Sequence, residues 1–171
     1  MTAFAPTGNA LENPENGLYK EYYPNGSLKT TAYYHNAKPH GYVREYYENG
    51  KMKSSIRYEN GTRYGDFFYY YENGMVKERK LFNQKGELDS NAYTYLEDGT
   101  LISDVEYRDG KPTGRKRQYY PNGVIKLTVK CNNYEVICTF VKYRDDGSPI
   151  QEYQITNGVV DESSRIVYSG N

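Results

Sequence analysis

Enzymatic chemistry needs a nucleophile, an acid–base pair or a set of metal ligands brought together, and few residues of this chain offer one. The only histidines, His35 and His40, sit beside Asn36-Ala37 and Gly41, and read as solvated side chains next to turns. Cys131 and Cys138 bracket a turn at Asn133-Tyr134. A two-residue loop there pairs Cys131 with Val136 and leaves Cys138 diagonal, so free thiols and a disulfide both remain open, while a zinc site lacks a nearby histidine. Glu97-Asp98-Gly99 and Asp145-Asp146-Gly147 resemble calcium loops only locally, because the spacing and terminal glutamate of an EF-hand are missing. Gly110-Lys111-Pro112-Thr113-Gly114 does not end in Gly-Lys-Ser/Thr, so no phosphate loop is expected. Arg115, Lys116 and Arg117 alternate between two faces of a strand and so cannot form one compact patch; they read as a solvated strand end, with contact to an acidic ligand as the alternative. The expectation is a chain without catalytic residues, metal or cofactor.

Recognition chemistry is far better supplied. Tyr22, Tyr46, Tyr70, Tyr95, Tyr119 and Tyr143 recur at spacings of 24, 24, 25, 24 and 24, and Lys29, Lys53, Lys77 and Lys126 recur seven residues further on. The column has two compatible readings: cross-strand packing, since tyrosine is a strong strand former and a lysine stem can lie along its ring, and partner recognition, since rigid amphipathic rings with arginine and lysine nearby have the composition of protein-recognition surfaces. The candidate contact residues are the six tyrosines with Lys53, Lys77 and Arg79.

The elements that must position these side chains follow from the turns. Asn-Gly or Asp-Gly closes at Gly26, Gly50, Gly74, Gly99, Gly123 and Gly147, with the same spacings. A second turn follows eleven residues later, at Asn36-Ala37, Asn60-Gly61, Asp109-Gly110, Asn133-Tyr134 and Asn157-Gly158, while Lys85-Gly86 is displaced by one. Such dipeptides favour type I′ hairpins, because both central residues need positive φ. Turns this close leave strands of about seven to nine residues and no room for helices. The fold expected is all-β: a single-layer antiparallel meander of six stacked β-hairpin repeats, an elongated twisted strip on the order of 55 Å long. Its parts read as an N-terminal arm over 1–16, the array over 17–161 and a half-repeat cap over 162–171.

Composition agrees with a thin core. Leu, Ile, Val and Phe number 8, 7, 10 and 5 in 171 residues, and 22 tyrosines supply the missing apolar surface. Lys+Arg 22 against Asp+Glu 22 gives zero formal charge, which argues against a nucleic-acid partner. No signal segment is visible, so the compartment expected by default is the cytoplasm, or the periplasm if such a segment has been removed.

Two-residue loops also assign the faces. Pairing Tyr23 with Leu28 and Tyr19 with Ala32 puts Tyr19, Tyr23, Leu28, Ala32 and Tyr34 on an apolar face, with Val43, Tyr47, Met52, Ile56 and Tyr58 following in the second unit. Gly17, Gly41, Gly65 and Gly114 stand opposite Tyr34, Tyr58, Phe82 and Cys131, as where a ring covers a strand glycine. The other face then holds the first-tyrosine column beside the lysine column, with Lys20, Arg44, Arg57, Arg79, Arg115, Arg117 and Asp104 around them.

The pattern Gly-x4-Tyr-Tyr-x-Asn-Gly-x-Leu, as in Gly17 to Leu28 and Gly41 to Met52, resembles the MORN repeat, more closely its bacterial variant. Leu96, Arg144 and Pro149 depart from it in the fourth and sixth units. The resemblance implies a non-catalytic protein-binding module, with a toxin or secreted effector as partner and this chain as antitoxin or immunity protein. It also implies a rival, attachment to a membrane surface or a scaffolding role.

Overall fold

In the computed structural model, which describes residues 14–132 and 137–169, two turn columns of different construction fold the chain into one sheet. The strands are β1 (Gly17–Tyr22), β2 (Leu28–His35), β3 (Lys38–Pro39), β4 (Gly41–Tyr46), β5 (Met52–Glu59), β6 (Thr62–Tyr70), β7 (Val76–Phe82), β8 (Ser90–Tyr95), β9 (Leu101–Arg108), β10 (Lys111–Tyr119), β11 (Ile125–Cys131), β12 (Ile137–Tyr143), β13 (Pro149–Thr156) and β14 (Val159–Val167). They pair in sequence order and antiparallel, with the two-residue β3 held on β2 alone. No helix occurs among the described residues. The all-β hairpin strip expected from the turns is therefore the fold, with fourteen strands because β3 is split from β4 at His40 and β14 follows the sixth unit.

The second turns are type I′: Asn36 and Ala37 have φ of 50° and 57°, and Asn60, Asp109 and Asn157 are likewise positive beside Gly61, Gly110 and Gly158. The first turns are not. Tyr23 N–H bonds Ser27 O at 2.8 Å and Gly26 N–H bonds Tyr23 O at 2.9 Å, a three-residue loop with only Gly26 at positive φ, 83°. Asn25 Oδ1 accepts from Ser27 N–H, and Asn49, Asn73, Asp98, Asn122 and Asp146 repeat that bond two residues on. The extra residue of the third unit lies in its second turn, Asn83 to Glu87, which uses the three-residue form.

The longer loop shifts the register by one residue. Glu21 pairs with Thr30, but Tyr22 pairs with Leu28, so Lys29 is the extra residue of a bulge. The same shift recurs at Tyr46–Met52, Tyr70–Val76, Tyr95–Leu101, Tyr119–Ile125 and Tyr143–Pro149. One residue of slip moves side chains to the opposite face. Leu28 and Met52 therefore leave the face of Tyr23 and Tyr47, where the two-residue reading put them, and join the first-tyrosine column. The lysines move the other way.

The face of Tyr19 and Tyr34, here the A face, holds what core there is. Ala32 is 2% exposed and Tyr34 9%, with the rings of Tyr19 and Tyr34 edge-on at 6.1 Å. Phe67 with Phe82 and Phe140 with Tyr153 continue the row. Burial is shallow throughout, since no large side chain of the described residues is fully enclosed. The glycine column has a different cause from the one expected. A Cβ on Gly17 or Gly41 would meet nothing within 4 Å, so no ring covers them; their φ values of 114° and 88° select glycine instead. Gly114 is crowded as well, since a methyl group there would stand 2.5 Å from Cys131 Cβ.

Cys131 lies directly opposite Cys138, not Val136, and the two form a disulfide. The turn expected at Asn133-Tyr134, most of the 1–16 arm and the last two residues of the cap, Gly170 and Asn171, fall outside the described residues. Of the arm, Glu15 and Asn16 are seen accepting backbone N–H bonds from Ala37 and Asn36, at 2.7 and 3.0 Å.

Candidate binding face

The face opposite the A face, the B face, carries the tyrosines singled out by spacing. Tyr22, Tyr46, Tyr70, Tyr95, Tyr119 and Tyr143 each stand across from an apolar residue, Leu28, Met52, Val76, Leu101, Ile125 and Pro149 in turn. Aromatic–aliphatic pairs are favourable across strands, and here they add up to a twelve-residue ribbon along one side of the strip. Tyr22, at the end, is 48% exposed, and the other five tyrosines are half-buried. Burial raises the Tyr70 and Tyr95 hydroxyls above the usual phenol range.

Beside the ribbon runs a second row on the same face: Phe68 between Ser55 and Arg79, then Tyr93, Asp104 and Arg117. Phe68 stacks on Tyr70 at 6.1 Å, and Tyr93 lies 6.4 Å from Tyr95. Arg79 covers the Phe68 ring at 5.7 Å and pairs with Asp66 at 3.1 Å, so of the three cations nominated with the tyrosines it alone shares their face.

Lys53 and Lys77 do not. Lys77 Nζ lies over the rings of Tyr69 and Tyr71, and Lys29 and Lys126 over Tyr23 and Tyr120, all on the A face. Lys53 occupies the same bulge position. The lysines accompany the second tyrosine of each pair, and these tyrosines have a structural task. Tyr23, Tyr47, Tyr71 and Tyr120 donate their hydroxyls to the carbonyls of Tyr46, Tyr70, Tyr95 and Tyr143, at 2.7 to 2.9 Å, joining each unit to the next.

One buried carboxylate interrupts the B face. The Asp104 side chain, 5% exposed, accepts from Tyr119 Oη at 2.6 Å and Arg117 Nε at 3.1 Å. Burial, then this hydrogen bond, pushes the Tyr119 hydroxyl up to about 12. Among the described residues, no three His, Cys, Asp or Glu side chains gather as metal ligands. His35 and His40 stand ring to ring at 6.0 Å.

Spacing alone did not bring out the apolar half of the ribbon or the role of Asp104. Periodicity held the first signal, since a bulky residue recurs two after each turn glycine. For Asp104 there was none, because its importance lies in two partners on the next hairpin.

The repeat model described as MORN repeat variant matches residues 15–36, 39–60, 63–84 and 112–130. The chain is a MORN-repeat protein. The matched segments are the first, second, third and fifth hairpin units, so the family pattern fades at the fourth and sixth, where Leu96 and Arg144 replace the second tyrosine. No curated protein matches the sequence as a whole. As a MORN array it is a repeat-built binding module, with an architecture typical of non-catalytic proteins.

Proposed function

We propose that this array is a protein-binding module that docks its partner on the tyrosine ribbon of the B face. The observation that carries the reading is the bulge register, which gathers six tyrosines and six apolar partners into one row on a sheet that has no second layer among the described residues. Two strands per unit place successive tyrosines roughly 10 Å apart, a column on the order of 50 Å. Sheet hydrogen bonds hold it before contact, so little ordering entropy is lost on docking. Resemblance to variant MORN proteins extends the reading to a toxin or secreted effector as partner, with this chain as its antitoxin or immunity protein.

The test is a Tyr46→Ala, Tyr70→Ala variant, which spares the Asp104 cluster. The partner captured by the wild-type chain should bind the folded variant roughly 100-fold more weakly by calorimetry; equal affinity removes the ribbon from the interface. A partner that arrests growth when expressed alone, and is rescued by the wild type but not by the variant, supports the antitoxin reading. A harmless partner ends it. The bulge parts the lysines from this tyrosine column, which counts against a lipid-headgroup surface made of the two together.

A further inference from the structure

A shallow depression of about 460 Å³ opens on the B face where units four and five meet. Arg115 and Arg117 of β10 line it together with Lys130 of β11, which stands directly across from Arg115. The basic run in the sequence therefore does become a patch, because the third cation comes from the neighbouring strand and not from Lys116. Like charges directly opposite one another destabilise a sheet, and nothing here relieves them fully. Lys130 has no acidic partner among the described residues, and Arg115, 73% exposed, reaches Glu106 only at 3.6 Å. Glu106 also accepts from Thr113 Oγ1 at 3.0 Å. Arg117 bonds Asp104 through Nε alone, which leaves the terminal nitrogens of its guanidinium uncommitted while its orientation is fixed.

We propose that this depression is an anion site for a carboxylate side chain of the protein partner, received by Arg117 and Arg115 with Lys130 completing the charge. The proposal rests on the protein-binding reading and adds the chemistry of the partner: an acidic residue that anchors beside Tyr119 and Tyr95. The favoured occupant is a carboxylate because three cations face two acids, and because an oriented guanidinium with free terminal nitrogens matches two carboxylate oxygens. Attachment to a short acidic segment lets neighbouring peptide reach the ribbon that a small ion would leave bare.

The probe is a blocked tetraglutamate peptide, titrated into the full chain while the arginine side-chain and backbone resonances are followed by NMR. Inorganic phosphate and a blocked tetralysine peptide are titrated at the same ionic strength. Saturable shifts confined to Arg115, Arg117 and Lys130 are expected with tetraglutamate, weakened about tenfold in an Arg115→Gln, Lys130→Gln variant. Both substituted positions are exposed, so the fold is kept, which circular dichroism checks. Shifts spread over all basic residues, or unchanged affinity in the variant, would overturn the site. Tighter binding of phosphate than of the peptide would overturn the assignment of a partner carboxylate. Tyr46→Ala, Tyr70→Ala is the control: peptide binding that survives in it while partner binding is unchanged from wild type keeps the anion site and discards the ribbon, and loss of peptide binding only in Arg115→Gln, Lys130→Gln supports the site independently.

Discussion

After units one, two and three, the second tyrosine sends its hydroxyl to a carbonyl of the following unit, whereas unit four has Leu96 there and no hydroxyl to send. Its junction with unit five is made from the other face. Asp104 of β9 accepts from Arg117 and Tyr119 of β10, so a buried carboxylate takes over what the tyrosine ladder does elsewhere. Unit six shows a third solution: Arg144 donates to the Pro149 carbonyl at 2.9 Å and reaches the Tyr168 carbonyl at 3.5 Å. The repeat thus tolerates loss of its ladder residue where another bond crosses the same junction. The family pattern lapses at these same two units.

The largest effect on this contrast between junctions is expected at Asp104. Asp104→Ala leaves Arg117 and Tyr119 without their acceptor. Because Arg117 remains half exposed to water, the expected loss is about 2–3 kcal/mol, below that of a fully enclosed pair. Urea unfolding measures it, and a loss below about 0.5 kcal/mol, the range of an ordinary surface change, means the carboxylate does not hold the junction. A smaller effect belongs to the ladder. Tyr47→Phe removes one hydroxyl-to-carbonyl bond and should cost about 1 kcal/mol, while Leu96→Tyr, restoring the ladder in unit four, should gain a similar amount at most. If both changes are neutral by thermal unfolding, the ladder is geometric rather than energetic. The smallest effect concerns the glycine column, where unit four has Ser90 at a φ of 144°. Ser90→Gly should stabilise by about 0.5 kcal/mol by relieving that conformation. A destabilised variant would show that the serine side chain contributes more than its strain costs.

Much of this was legible in the residues. The alternating Gly-containing turns set strand length, antiparallel order and the number of units, because positive φ and short loops leave the chain no other course. The Tyr19–Ala32 and Gly17–Tyr34 pairings were also readable, since register far from the loop absorbs the extra residue. Gly114 opposite Cys131 already implied Arg115 opposite Lys130, although the basic patch becomes visible only when the neighbouring strand is laid beside it. The disulfide was not legible, because a two-residue turn at Asn133-Tyr134 pairs Cys131 with Val136, whereas the sheet sets Cys131 opposite Cys138.

Turn chemistry and period are local properties, and they were enough to specify a six-unit β-hairpin strip with a tyrosine column. Which side chains accompany those tyrosines was settled only by the folded sheet. A three-residue loop and a two-residue loop look alike around Asn-Gly, yet the one-residue bulge that follows turns Leu28, Met52 and Val76 towards the column and Lys29, Lys53 and Lys77 away from it. The junction through Asp104 likewise required two hairpins in contact, because neither strand alone marks that carboxylate as buried.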